Sequence, residues 1–261
     1  MGLALAAGVV ISAVAVGVVW SNRTLASGCV ASAGGVTYPL DLEQASNATT
    51  IAAVGKRLAM PDHAVTVALA AALQESRLRN LSHGDRDSLG VFQQRPSQGW
   101  GTPAQVMTPR IAAASFYQHL VLVDGWAALS VTDAAQQVQH SAAPAAYAQW
   151  ESEARGLAEA LTGEISAGLV CRFPVPSGAV TSAFAPAITQ ELGSPNLGTA
   201  LTSARGWTVA SWLVGHASQY RLRSVSFAGR RWTAGTGLWA SDPSATTVVQ
   251  IVPTVSTGGS S

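Results

Sequence analysis

A change of sequence pattern at residues 163–178 constrains the fold more than any other feature of the chain. From residue 40 to 162, apolar side chains recur at helical spacing, and no stretch shows the alternation of a strand. Beyond the change, residues 223–227 and 246–252 alternate or are β-branched, which favours strands. We therefore predict an α+β protein with a mainly helical domain at 40–162, a linker at 163–178 and a small α+β module at 179–253.

Composition excludes a disordered chain, and net charge gives no reason to expect a nucleic-acid partner. The chain has 261 residues, of which 48% are hydrophobic and only 11% are charged, so it is not a long disordered chain. Its 15 Lys and Arg side chains against 14 Asp and Glu give a net charge of +1. Because that balance supplies no broad electrostatic attraction for phosphates, we expect no nucleic-acid partner.

The first twenty residues carry no charged side chain and end in Trp20, an aromatic residue typical of a membrane interface. As a helix they would span roughly 30 Å, the thickness of the hydrocarbon core. We predict a transmembrane signal anchor at 1–20 and a stalk at 21–39, which would place the domains outside the cell on a single-pass membrane protein. A cleaved signal peptide is the alternative, although no basic segment precedes the apolar run. Residues 254–261 are expected to be a disordered tail.

The chain has two cysteines, Cys29 and Cys171, far apart in sequence. Neither has a second Cys or a His nearby at the spacing of a metal site. In an exported chain the two could form a disulfide, and two unpaired thiols are the alternative. The histidines show no ligand spacing either, so we predict no metal and no cofactor; they are His63, His83, His119, His140 and His216.

The helix predicted over residues 61–76 is almost wholly apolar and carries Glu75 near its end. Pro61 is a residue typical of a first helical turn, and residues 65–73 include no acid. A carboxyl group at the end of such a helix would be desolvated, which raises its pKa. A glutamic acid of raised pKa can deliver its proton to a leaving oxygen, as cleavage of a glycosidic bond requires. The alternative is a glutamate that points into water.

The order of residues around Glu75 resembles the lysozyme-like domain of the soluble lytic transglycosylases. In that family a catalytic Glu followed by Ser ends a helix, and Gly-Leu-Met-Gln and then Pro follow on the wall of the cleft. The matching residues here are Glu75-Ser76, the segment from Gly90 to Gln93, and Pro96. Downstream, an Ala-rich helix with a Tyr and a Leu is also similar to the family, and the resemblance covers residues 40–162.

The resemblance implies a membrane-anchored enzyme that cleaves the β-1,4 bond between N-acetylmuramic acid and N-acetylglucosamine in peptidoglycan. Glu75 would act as general acid and then as base, on the muramoyl 6-hydroxyl in a lyase or on water in a muramidase. A hydrolase usually needs a second carboxylate. Asp85 and Asp87 are the near candidates, although loop charges and turn formation are the more ordinary roles for such residues.

The substrate-binding residues that the resemblance implies surround Glu75. Gln93 and Gln94 would hydrogen-bond sugar amides or hydroxyls, and three aromatic side chains would offer apolar platforms. The family's Ala-Tyr-Asn-Ala-Gly segment lacks its Tyr and Asn here, at residues 136–141, and Gln139 or Tyr147 would substitute. The full set is Ser76, Gly90, Phe92, Gln93, Gln94, Trp100, Tyr117, Gln139 and Tyr147.

That departure leaves two alternatives to an enzyme. One is a peptidoglycan-binding protein that keeps the cleft but no longer cuts. The other is a scaffold whose C-terminal module recruits a partner enzyme.

The C-terminal module resembles a module of secreted actinobacterial proteins related to zinc D-Ala-D-Ala carboxypeptidases. The similarity lies at residues 206–214, with residues 225–227 and Trp232. Metal-binding relatives carry Asp-x-x-His or His-x-His on the closing strand, whereas residues 247–250 here have neither. The resemblance therefore implies that the zinc site is lost, and a binding or scaffolding role follows for the module.

Overall fold

The computed structural model describes residues 27–141, 143–175, 177–195 and 197–253. Within them the chain is α+β, with two small sheets. The predicted anchor at 1–20 and tail at 254–261 lie outside the described residues. In the described ranges, no helix is both long enough and apolar enough to cross a bilayer.

Along the described part of the chain come two strands, six α-helices, one strand, three α-helices and four strands. The helices are α1 (Leu42–Arg57), α2 (Asp62–Ser76), α3 (Pro103–Val106), α4 (Pro109–Leu120), α5 (Val131–Gln139), α6 (Glu151–Leu161), α7 (Phe184–Leu192), α8 (Ser203–Gly215) and α9 (Ala217–Tyr220). The strands are β1 (Gly28–Ala33), β2 (Val36–Leu40), β3 (Leu169–Arg172), β4 (Leu222–Phe227), β5 (Arg230–Thr233), β6 (Trp239–Ser241) and β7 (Gln250–Pro253). Short 3₁₀ helices cover Pro96–Gln98, Trp126–Ala128 and Pro144–Trp150.

Helix α2 is the centre of the helical part, and it confirms the helix predicted over 61–76. Every residue from 64 to 73 is buried. A helix that is apolar on all sides needs neighbours on all sides, and α1, α4, α5 and α6 supply them. The helix stops because Arg77 takes a left-handed conformation, with φ 56°.

A three-stranded antiparallel sheet in the order β2-β1-β3 corrects the predicted stalk and linker boundaries. Gly34 and Gly35, both at positive φ, make the turn between β1 and β2. Strand β3, which lies inside the predicted linker, pairs with β1 and places Cys171 opposite Cys29. The two cysteines form a disulfide. The sheet packs on α6, so both segments belong to the folded core.

The C-terminal part is packed directly on the helical part. Its sheet is antiparallel in the order β6-β5-β4-β7, and α8 lies between this sheet and helices α1 and α6. Close approach depends on glycine: a Cβ added at Gly215 would lie 2.7 Å from Thr49 Oγ1, and one at Gly206 would meet the Phe227 ring at 1.9 Å. The strand predicted over 223–227 is confirmed as β4, whereas only the end of the one predicted over 246–252 forms, as β7.

A buried polar cluster lies where the two parts meet. Glu191 of α7 accepts hydrogen bonds from Thr50 Oγ1 on α1 and from Trp212 Nε1 on α8, each at 2.7 Å. The His216 Nε2 atom lies 3.9 Å from the same carboxylate oxygen. Burial lowers the pKa of His216, although the Glu191 charge opposes that shift. The cluster gives α7, which the sequence analysis did not predict, a specific contact with the first helix.

Candidate active site

Glu75 lies one residue before the end of α2, where the buried core meets the surface. Burial raises the pKa of Glu75 above its ordinary value of 4.5, because a carboxylate loses hydration there. Hydrogen bonds from Tyr147 and Gln139 act in the opposite direction, since they stabilise the charged form, but burial is the larger cause. Glu75 therefore keeps its proton to a higher pH than an exposed glutamic acid.

The carboxyl group is held by side chains that lie more than sixty residues further along the chain. The Tyr147 hydroxyl donates to Glu75 Oε1 at 2.7 Å, and the tyrosine is fully buried. Burial, and then the Glu75 charge, raise the pKa of Tyr147, so its hydroxyl remains a donor. Gln139, the last residue of α5, also reaches Glu75, and its Nε2 donates to the Phe92 carbonyl at 2.9 Å. Ser141 in turn hydrogen-bonds Tyr147.

The loop at residues 80–95 forms one wall beside Glu75 and is fixed to the end of α2. The Ser76 hydroxyl is buried and donates to the Val91 carbonyl at 2.7 Å. Gly90, at φ 79°, packs so closely that an added Cβ would lie 2.5 Å from the Val106 carbonyl oxygen. Ser76 and Gly90 therefore position the wall from behind.

Two adjacent carboxamides project from that wall with different exposures. Gln93, at φ 49°, donates from Nε2 to the carbonyls of Gly90 at 3.1 Å and His83 at 3.4 Å. It remains partly exposed to the cleft. Gln94 is only 2% exposed, and its Nε2 donates to the Ala112 carbonyl at 3.2 Å. Gln93 is thus the better placed of the two to hydrogen-bond a ligand.

A cleft of about 890 Å³ opens in front of Glu75. Trp100 and His119 stack in it with ring centroids 4.0 Å apart, which makes a broad aromatic surface. The other lining side chains are mostly polar, and the whole set is Glu75, Asp85, Arg86, Ser88, Gln93, Gln94, Arg95, Gln98, Trp100, His119, Val138, Gln139, His140 and Ser141. An aromatic surface beside amides and hydroxyls can stack on one face of a ligand and hydrogen-bond its edges.

The two aspartates of the loop differ in their surroundings. Asp87 accepts from Arg95 Nε at 2.9 Å and from the Ser97 amide at 2.7 Å. The Ser97 amide, and then Arg95, lower the pKa of Asp87, so its carboxylate stays ionised and fixes the loop. The Asp85 side chain is 88% exposed at the edge of the cleft, where water solvates its charge.

The structure brings five of the ten predicted site residues to the cleft, namely Glu75, Gln93, Gln94, Trp100 and Gln139. Tyr147 is buried directly behind Glu75. The other four, Ser76, Gly90, Phe92 and Tyr117, are buried and do not line it. Phe92 and Tyr117 were expected to offer platforms, but Phe92 stacks on Phe116 and the Tyr117 hydroxyl donates to the Ile51 carbonyl, so both support the core.

Several lining residues were not predicted from the sequence. His119 lies on α4, one helical turn after the buried Phe116. Its place in the cleft follows from its stacking with Trp100, which is distant in sequence. His140 and Ser141 follow α5, where His140 takes a left-handed conformation with φ 49° and ends the helix. Arg86 and Arg95 add positive charge to the same cleft.

In the part of the chain that the structure describes, no three His, Cys, Asp or Glu side chains are grouped so that they could hold a metal ion. No model of a known protein family matches this chain, and no curated protein matches it.

Proposed function

We propose that this chain cleaves the β-1,4 bond between N-acetylmuramic acid and N-acetylglucosamine in peptidoglycan, with Glu75 as the general acid and base. The observation that carries the proposal is a carboxyl group of raised pKa at an open cleft, with an aromatic stack beside it. The resemblance of residues 40–162 to lysozyme-like transglycosylase domains supports the choice of substrate. No cofactor takes part.

The surroundings of Glu75 suit both halves of a proton-transfer cycle. In the first half the protonated carboxyl gives its proton to the glycosidic oxygen as the bond from C1 to that oxygen breaks. The resulting carboxylate is stabilised by the Tyr147 hydroxyl, which is fixed at 2.7 Å. In the second half the carboxylate takes a proton from the hydroxyl that attacks C1, and the site returns to its starting state.

The nucleophile that attacks C1 differs between the two possible reactions. A lyase uses the 6-hydroxyl of the muramoyl residue itself, whereas a hydrolase uses water and usually a second carboxylate. Asp87 is engaged by Arg95 and Ser97, and Asp85 is solvated at the cleft edge. This arrangement favours the 6-hydroxyl route. The mass of the released muropeptides distinguishes the products, because an anhydro product is one water lighter.

The test compares Glu75→Gln with Glu153→Gln. Glu153, on α6, is partly buried and has a pKa raised chiefly by burial, but it does not line the cleft. We expect Glu75→Gln to lower release of soluble muropeptides from purified wall at least about a hundredfold, the usual contribution of a general acid. Glu153→Gln should retain wild-type release, and both variants should show the cooperative unfolding of the wild type. Equal release by Glu75→Gln and the wild type would overturn the proposal.

Glycan binding without cleavage is the second candidate. The observation that favours it is at residues 136–141, where Gln139 reaches Glu75 and the family's Tyr-Asn pair is missing. Binding of insoluble peptidoglycan with no fall in its turbidity would support this candidate. Binding together with clearing supports the enzyme.

A further inference from the structure

We propose that the cleft continues into a second depression that binds the peptide stem attached to the glycan strand. The proposal rests on the proposed function, because the stem is carried by the muramic acid residue of the same polymer. It assigns a ligand to a surface that the proton-transfer chemistry at Glu75 does not use.

The second depression has a volume of about 530 Å³ and adjoins the main cleft. Three side chains, His119, Val138 and His140, line both. They stand at the ends of α4 and α5, so a ligand that passes the Trp100 and His119 stack meets the depression next. A branch that leaves the glycan at this point would therefore run into it without a gap.

The depression offers apolar surface that is open to solvent. Its lining includes Leu122, which is 78% exposed and is the most exposed large hydrophobic side chain in the described residues. Val123 and Leu129 lie partly buried in the same lining. The concave surface thus combines one exposed leucine with partly buried apolar side chains, which suits a short aliphatic side chain such as that of alanine.

The charge of the depression points to a cationic group in the ligand. Asp124 is exposed in its lining and forms no hydrogen bond or ion pair with any residue that the structure describes. No Lys or Arg shares that lining. The main cleft differs, because Arg86 and Arg95 line it. An ammonium group placed near Asp124 would therefore meet an unopposed carboxylate.

A short peptide that combines small apolar residues with a free amino group fits both features. The stem of peptidoglycan has this chemistry, since it contains alanine and a diamino acid. We therefore assign the apolar residues to Leu122 and its neighbours, and the side-chain ammonium of the diamino acid to Asp124.

The experiment uses three substrates: strands with intact stems, strands from which an amidase has removed the stems, and strands whose stem amines are acetylated. Asp124→Asn should lower kcat/KM about threefold on intact strands, as expected for a partly solvated ion pair. It should leave kcat/KM unchanged on the other two substrates. Asp124→Lys should lower it further on intact strands, because repulsion replaces attraction. The control, Asp133→Asn, changes an exposed aspartate of α5 outside this lining and should behave as the wild type on all three.

An equal loss on all three substrates, or no loss on intact strands, would overturn the assignment. A wild-type chain that cleaves none of the substrates would instead count against the proposed function. In that case the affinity of a soluble disaccharide-peptide for the wild type and for Asp124→Asn decides the present question. The assignment is supported if the variant binds threefold more weakly than the wild type and if this difference disappears when the amine is acetylated. Equal binding of the unmodified ligand contradicts it.

Discussion

Replacing Gly84 with alanine should displace the Gln93 carboxamide and leave the fold intact. A Cβ built at Gly84 would lie 1.8 Å from Gln93 Oε1, whereas ordinary contacts begin at 3.4 Å. The carboxamide must therefore move by about 1.6 Å, the difference between these two distances. A misplacement of about 1 Å at a reacting site costs up to a hundredfold in rate.

The cost in stability should be moderate, because a side chain and a backbone carbonyl must both move. The displaced atom is at the far end of a flexible side chain, and Gly84 itself is exposed. The hydrogen bonds from Gln93 Nε2 to Gly90 and His83 are accessible to water, which can replace them. The backbone carbonyl oxygen of Ser88 would lie 2.9 Å from the added Cβ, so the loop backbone must shift as well. We expect the free energy of unfolding to fall by about 1 to 3 kcal/mol, the usual cost of an overpacked site.

The assay is a double-mutant cycle on muropeptide release and on glycan affinity. Gly84→Ala and Gln93→Ala should each lower both quantities, by roughly tenfold, and the double variant should be no worse than Gln93→Ala alone. Gly28→Ala is the matched control, because an added Cβ would meet nothing closer than 3.5 Å. Gly28 lies on β1 and does not line the cleft. Additive losses in the double variant, or wild-type behaviour of Gly84→Ala, would refute the reasoning.

Two further predictions concern the proton on Glu75. Because burial raises the pKa of Glu75 in the folded chain, the unfolded chain ionises first, and stability is lost as pH rises from about 4.5 through the folded-state pKa. The Glu75→Gln variant has no carboxyl to titrate at this position, so its free energy of unfolding should increase relative to that of the wild type as pH rises. Urea unfolding of both proteins at pH 4 and pH 8 measures this difference. A relative decrease in the variant's free energy of unfolding would contradict the prediction. Tyr147→Phe removes a donor to the carboxylate, so the pKa of Glu75 should rise further and the alkaline limb of the pH–activity profile should move to higher pH. Movement to lower pH would show that the hydroxyl does not stabilise the carboxylate.

The helical half was largely predictable, because its signals are local. Pro61 and an uninterrupted apolar run gave α2 to within a residue, and the helix end placed Glu75 at the margin of the core. The desolvation of its carboxyl was predicted as well, but the hydrogen-bond partners of that carboxyl were not predictable in the same way. Tyr147 is 72 residues away, and the packing of its 3₁₀ helix, Pro144–Trp150, against α2 brings it to Glu75.

The strands of the first sheet were missed for a different reason. Residues 28–33 are small and only weakly β-forming, so their composition favoured a stalk. Gly34 and Gly35 are a hairpin signal that local reading could have used. The third strand could not be paired from sequence, because its partner lies at the other end of the helical part. Phe92 and Tyr117 were expected in the cleft from a resemblance that fixes their order along the chain and leaves the direction of their side chains open, and both lie in the core.

The bond between Cys29 and Cys171 makes a covalent ring of everything from β1 to β3, and the entire cleft belongs to that ring. During synthesis Cys29 is made early and remains an unpaired thiol until Cys171 has been made. A single protease cut within the ring leaves the two pieces tethered, and a reductant then separates them. Nicked chains would therefore migrate as one species on a gel without thiols and as two once thiols are added.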